Sequence, residues 1–393
     1  MPGFANSSPV DVAFGASCRS LPGHSRCTGV MTNTLAHVGW ERCLIDPRPD
    51  RELESYARRK MGIPFPSMRY FAPVPWLARA LIDMHPEFGL LMHLDQSIAD
   101  LLTLVVSQEN SCRFCYAGVR LMLWAQGMSK ARIERVEQDL ARGDLGPRTV
   151  AAIAFARRQS RGGPATARAA REALRRAGFS DGEIREIAYV VGETDFSNRA
   201  HTIPAIPSHT LERMPDQIHM RLLRPLINRL LERHRFRGRA TPLERAVFDP
   251  YASLVDAYAG SPIAPALERT IVEMLASPHL TRRCKLLMLA VVARGLDCRV
   301  CAPEIGRALQ REGLDEPALT QALTHVDDPE LDPGERLLLR FARETIWYEP
   351  GQLQRSARAL RDRLSGPQLL EAIGVASLAN GLCRMGAMML DHP

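Results

Sequence analysis

Apolar residues along this 393-residue chain fall in short runs and helical spacings, with no convincing period-2 alternation, so the pattern predicts helices and no strands. Apolar side chains fill the stretch from Ile98 to Val106 after Asp100. A second segment, Tyr116 to Trp124, ends near Gly127, a residue type suited to closing a helix. Ser129 is placed to cap a helix over Lys130 to Arg142. Thr149 to Arg158 and Ala165 to Arg176 follow, the latter stopped by Gly178. Ser180 and Glu183 have capping-box spacing, which satisfies orphan amides ahead of a helix from Ile184 to Val191. In the second half Pro317, Pro333, Pro350 and Pro367 stand at helix starts or linkers, where the missing amide proton has no intrahelical partner to lose. The best apolar run, Leu286 to Ala293, predicts a core helix and is well short of the roughly 20 residues that span a bilayer. The fold class expected is all-α, with no membrane partner.

The helices recur. Cys112 and Cys115 return as Cys298 and Cys301, and Phe155-Ala156-Arg157 returns as Phe341-Ala342-Arg343, both 186 residues on. Ile184 and Glu186 match Leu369 and Glu371, and Arg199 matches Arg384, both at 185. The stretch starting at Asp100 is similar to the one starting at Lys285. Such constant spacing predicts a tandem duplication. We place an irregular or disordered N-terminal tail at 1–50, a first repeat at 51–215 and a more divergent second repeat at 216–393. The Pro-rich stretch from Ile63 to Pro75 is expected to wrap on the surface of the first. Met31 is an alternative start.

The net charge of +7 changes this picture little. Only Lys60, Lys130 and Lys285 among the 51 basic residues are lysine, and the arginines interleave with acids, as in Arg132 to Glu137. The densest basic run, Arg229 to Arg245, falls at the junction of the repeats with Phe236 as its one aromatic, unlike a nucleic-acid-binding stripe. Nucleic acid is not an expected partner. The first 30 residues lack a basic start followed by an apolar stretch, so no secretory signal is expected and the compartment predicted is the cytoplasm.

Nine cysteines are too few for a disulfide scaffold. Four of them form the two Cys-x-x-Cys pairs, each where a loop enters a helix. Ser111 or Asn110 is the expected N-cap of the first. There the helix dipole and free amides favour a thiolate and lower its pKa. A two-residue separation lets a disulfide form and break, so one cysteine can attack a peroxide or disulfide and the other resolve the product. Two other readings stay open: a four-thiolate zinc site, which would draw the pairs out of separate repeats, and inert buried cysteines. No phosphate loop or metal-spaced histidine pair appears, so no cofactor and no metal are expected.

These residues together resemble the carboxymuconolactone decarboxylase and alkylhydroperoxidase D-like superfamily, present twice. The resemblance rests on the Asp100 helix, the turn from Asn110 to Cys115, Phe155 to Arg157, Ala177 to Glu183 and Phe196 to Arg199, and covers about 85% of the chain. It implies all-helical bundles that form a homo-oligomer. It also implies that Cys115 is the peroxide-reactive thiol and Cys112 the resolving one, with Cys301 and Cys298 their counterparts. The family carboxylate falls at Asp100, and at Leu286 or Lys285 in the second repeat. The family histidine falls at Val119 and Ile305, so the histidine is missing from both. Glu109 is the expected substitute proton carrier, with Tyr116 and His201 as more distant ones; Asp195 and Asn198 are expected to brace the late helix. The function implied is a thiol-dependent peroxidase or disulfide oxidoreductase acting on a hydroperoxide or other small molecule, recharged by a thiol reductant such as a lipoyl or thioredoxin-like protein. A lyase acting on a small lactone or keto acid, and a degenerate helical scaffold, are the alternatives.

Overall fold

In the computed structural model the described residues are 35, 38, 42–62, 67–138, 145–161, 167–234, 238–239, 250–324 and 331–390. Among them are nineteen α-helices and no strand, so the all-α class holds. The first half contains α1 (Arg51–Met61), α2 (Met68–Phe71), α3 (Pro75–Asp83), α4 (Gln96–Glu109), α5 (Arg113–Ala125) and α6 (Lys130–Gln138). It continues with α7 (Pro147–Arg161), α8 (Ala167–Arg176), α9 (Asp181–Thr202) and α10 (His209–Arg213). After α11 (Ile218–His234) come α12 (Ala252–Ala257), α13 (Ile263–Ala276), α14 (Arg282–Gly295) and α15 (Cys301–Arg311). The chain closes with α16 (Glu316–Thr324), α17 (Pro333–Glu344), α18 (Pro350–Arg361) and α19 (Gly366–Met389).

Local chemistry fixes the helix starts. Ser180 and Glu183 form the expected capping box at α9, and Ser365 with Gln368 forms another at α19. Pro333 and Pro350 are the first residues of their helices, and Pro367 lies in the first turn of α19. Two expectations need correction. The helix expected to end at Val191 runs on to Thr202, because the polar run Glu193-Thr194-Asp195 is buried against other helices rather than turned to water. In the Pro-rich segment Met68, Phe71 and Val74 are all buried, so its described part is a wall of the core and not a surface wrap. Of the tail expected at 1–50, residues 1–34, 36–37 and 39–41 lie outside the described residues. Leu44 and Ile45 are buried, and the Leu44 amide donates to the Pro204 carbonyl at 2.9 Å, so the end of that segment is packed.

The core is organised around α9 and α19, which make the largest helix–helix contact. Their backbones touch. A Cβ on Gly381 would lie 2.7 Å from the Gly192 carbonyl oxygen, and one on Gly192 would lie 2.8 Å from that of Gly381; only glycine fits the crossing. Around this pair α4 packs on α5, α7 and α9, and α14 packs on α15, α17 and α19. All described residues belong to one compact unit, Thr32–Pro393, so the halves share a core. No stretch was expected to suffice for a bilayer, and α19 is long and apolar enough to cross one, yet its apolar stretch is 94% buried inside the fold. A helix apolar all round is what a core helix needs.

Matching carboxylates tie the loops ahead of α4 and α14. Glu186 accepts from the amides of Met92, His93 and Leu94 at 2.7, 2.9 and 2.6 Å. Glu371 accepts from the Leu280 amide at 3.3 Å and Ser277 Oγ, and pairs with Lys285 Nζ at 3.2 Å, both side chains fully buried. Lys285 also donates to the carbonyls of Met274, Leu275 and Ser277, closing the C-terminal end of α13. This is a structural ammonium, placed where a helix end wants positive charge.

Candidate functional site

The first cysteine pair sits in the turn between α4 and α5. Ser111 takes a left-handed backbone, φ 50°, which reverses the chain after α4. The N-cap is Cys112 itself, not Ser111 or Asn110: its Sγ accepts from the Cys115 amide at 3.4 Å. Asn110 instead caps the end of α4 and donates to Asp195 at 2.8 Å. Cys112 is fully buried, and Cys115 opens on a cavity of about 120 Å³. Both are free thiols.

Phe114, Val119, Glu193, Ser197 and His201 line this cavity with Cys115. Val119, where the family histidine would fall, is one turn along α5 from Cys115. Most of the polar groups come from α9; Thr103 of α4 and, ahead of it, His85 and Glu87 also line the cavity. Cys115 Sγ lies 3.9 Å from Ser197 Oγ. Glu193 is buried, its Oε1 has no hydrogen-bond partner, and burial, helped by nearby Glu87, raises its carboxyl to about 8. His201 stacks on Phe114 with ring centroids 4.4 Å apart. Its Nδ1 is 2.8 Å from the Ser197 carbonyl and its Nε2 is 3.3 Å from Ser67 Oγ. Burial lowers its pKa to about 4, so near neutrality it is uncharged, with Nδ1–H donating to that carbonyl.

The expected low thiol pKa is corrected. Burial pushes the Cys115 thiol well above its usual range, the adjacent Cys112 and the Glu193 carboxylate add to this, and only the Ser197 hydroxyl opposes it. Desolvation outweighs the helix end here. The two expected carboxylates are also elsewhere. Glu109 pairs with Arg157 and Arg161 at 3.3 and 3.1 Å and lines a separate pocket between the turns of the two halves. Asp100 is buried, accepts from Gln96 Nε2 at 3.0 Å, and is not among the residues lining the Cys115 cavity. Tyr116 is buried outside that cavity with Arg120 over its ring. Asp195 pairs with Arg199 at 3.2 Å, whereas Asn198 accepts from Ser107 Oγ at 3.1 Å and also lines the Cys115 cavity.

The second pair differs. Cys298 and Cys301 are joined by a disulfide, Cα atoms 5.4 Å apart, and both are buried. The positions matching Glu193, Ser197 and His201 are Leu378, Leu382 and Gly386, and Ile305 is fully buried. Of the six candidate residues, only Cys115 lines the cavity that holds Glu193, Ser197 and His201; Cys112 is fully buried beside it, and Cys298 lines a separate cavity with Asp297 and Glu316. Sequence reasoning missed Glu193 and Ser197. Their one signal is spacing: Glu193, Ser197 and His201 are four residues apart, on one face of a helix. Comparison with known protein families, with characterised proteins and with solved structures finds no match.

Proposed function

We propose that the chain is a thiol-dependent peroxidase or disulfide oxidoreductase of alkylhydroperoxidase D-like type, working at Cys112 and Cys115 of the first of two tandem repeats. One observation carries this reading: Cys115 shares a small, largely apolar cavity with the buried carboxyl of Glu193, one oxygen of which has no hydrogen-bond partner. A volume of about 120 Å³ suits a small hydroperoxide, whereas drug-sized ligands need roughly 300 Å³ or more.

Ionised Glu193 takes the proton from the Cys115 thiol. The thiolate attacks one peroxide oxygen and the O–O bond breaks. Glu193 then returns the proton to the departing alkoxide, which leaves as an alcohol while Cys115 becomes a sulfenic acid. Cys112 attacks that sulfur, the S–O bond breaks, water leaves and a Cys112–Cys115 disulfide remains. A dithiol reductant, such as a lipoyl or thioredoxin-like protein, supplies two electrons and two protons to reopen it. A reducing cytoplasm suits this cycle. Because the base must be ionised, turnover rises with pH towards about 8, the carboxyl's own value.

The test is consumption of a small organic hydroperoxide in the presence of a dithiol. Cys115→Ser should abolish it and Glu193→Gln should slow it by about 10²–10⁴-fold, the range for general acid–base catalysis. Turnover unchanged in Cys115→Ser would remove the thiol from its role. Uncharged Glu193 and His201 in an apolar cavity also favour a second reading, acid–base lyase chemistry on a small lactone or keto acid without a thiol. Activity insensitive to alkylation of Cys115 would select it.

A further inference from the structure

Around the second pair, three sulfurs replace the proton carriers of the first. Cys383, at the position matching Asn198, brings its Sγ into a cluster with those of Cys298 and Cys301, all within 4.8 Å of one another and all buried. Gly386 makes room for it, since a Cβ there would lie 2.9 Å from Cys301 Sγ and 3.3 Å from Cys298 Sγ. Polar groups reach two of the three sulfurs. Cys301 is the first residue of the 11-residue helix α15, and its amide donates to Cys298 Sγ at 3.4 Å. Tyr251 Oη is 3.5 Å from Cys383 Sγ. A helix end, an amide and a hydroxyl thus meet at one group of sulfurs.

We propose that, once the Cys298–Cys301 disulfide is reduced, Cys298, Cys301 and Cys383 bind one thiophilic d10 cation, Zn²⁺ or Cu⁺, through three thiolates. Sulfurs on a zinc ion at roughly 2.3 Å stand roughly 3.8 Å apart, a small adjustment from the present cluster. An all-sulfur donor set selects soft ions over Mg²⁺ or Ca²⁺. The balance is simple. A dithiol gives two electrons and two protons to the disulfide and is itself oxidised to a disulfide; the cation then displaces the three thiol protons to solvent. Disulfide and metal exclude one another, so occupancy follows the redox state.

The experiment uses the full chain with Cys112→Ser and Cys115→Ser, which leaves this cluster as the only Cys-x-x-Cys site. The protein is reduced with a phosphine, freed of reductant without oxygen, and titrated with Zn²⁺ or Cu⁺ against a chromophoric chelator of each. Uptake of one equivalent, with ultraviolet sulfur-to-metal absorption for Cu⁺, is the expected result; the ion held against the stronger competition identifies the occupant. Adding Cys383→Ser should weaken binding beyond the roughly 10–100-fold that loss of an outer-sphere partner costs, and oxidised protein should bind none. If the Cys383→Ser chain does not fold, alkylation of the parent followed by mass spectrometry decides instead, with metal protecting Cys383. No uptake, affinity unchanged by Cys383→Ser, or Cys383 alkylated equally with and without metal would overturn the proposal.

Discussion

Glu193 makes the most quantitative prediction. Its carboxyl is buried with an unpartnered oxygen, and folding moves its pKa from 4.5 to about 8. The folded state therefore holds a proton that the unfolded chain has already released, so stability falls as pH rises through this interval. Each pKa unit corresponds to about 1.4 kcal/mol. The loss grows from near zero at the unfolded value and reaches on the order of 5 kcal/mol once pH exceeds about 8. Against a typical total of about 5–15 kcal/mol, that is a large share. Glu193→Gln keeps the shape and removes the titration. Urea unfolding of both proteins at a series of pH values from 5 to 9 is the assay. The parent should lose stability along the series, and the variant should overtake it by about 3 kcal/mol near pH 7. Parallel curves would show that Glu193 is ionised and solvated, and the proton-carrying role assigned to it would go as well.

Three further outcomes follow from geometry. Gly381→Ala drives a methyl group into the Gly192 carbonyl and the Phe196 Cβ, and should cost about 1–3 kcal/mol in denaturant unfolding, the usual range for overpacking. Lys285→Met leaves the Glu371 carboxylate buried without its cation; a loss of about 3–5 kcal/mol is expected, largely recovered in a Lys285→Met, Glu371→Leu double variant. Glu109→Gln, by contrast, should change peroxide turnover less than twofold, a rough bound on effects outside the cavity, because Glu109 faces arginines away from Cys115; a large drop in steady-state rate would return it to the site.

What the sequence disclosed depended on how local the cause was. Capping at Ser180, the helix starts at Pro333 and Pro350, and the loop-to-helix setting of both cysteine pairs are set within a few residues, and each was legible. The length of α9 was not. Gly192-Glu193-Thr194-Asp195 has the local marks of a helix end, and only burial against α4 and α19 keeps it helical. The same long-range burial sets the state of Glu193 and of the Cys115 thiol, so neither pKa direction could be read from neighbours in sequence. Glu109 misled for the converse reason. It is close to Cys112 along the chain, but Ser111 turns the backbone and α7 supplies the arginines that hold it.

The seam between α9 and α19 has a consequence for how such a molecule can change over time. Tyr348 crosses it to donate to the Asn198 carbonyl and to Thr202 Oγ1, and its ring carries the Arg199 guanidinium at 4.5 Å. The C-terminal half thereby acts as a companion that can neither dissociate nor be diluted away, because a covalent tether fixes its effective concentration. A half tethered in this way keeps its place against α9 at any protein concentration, whatever chemistry its own sulfurs carry.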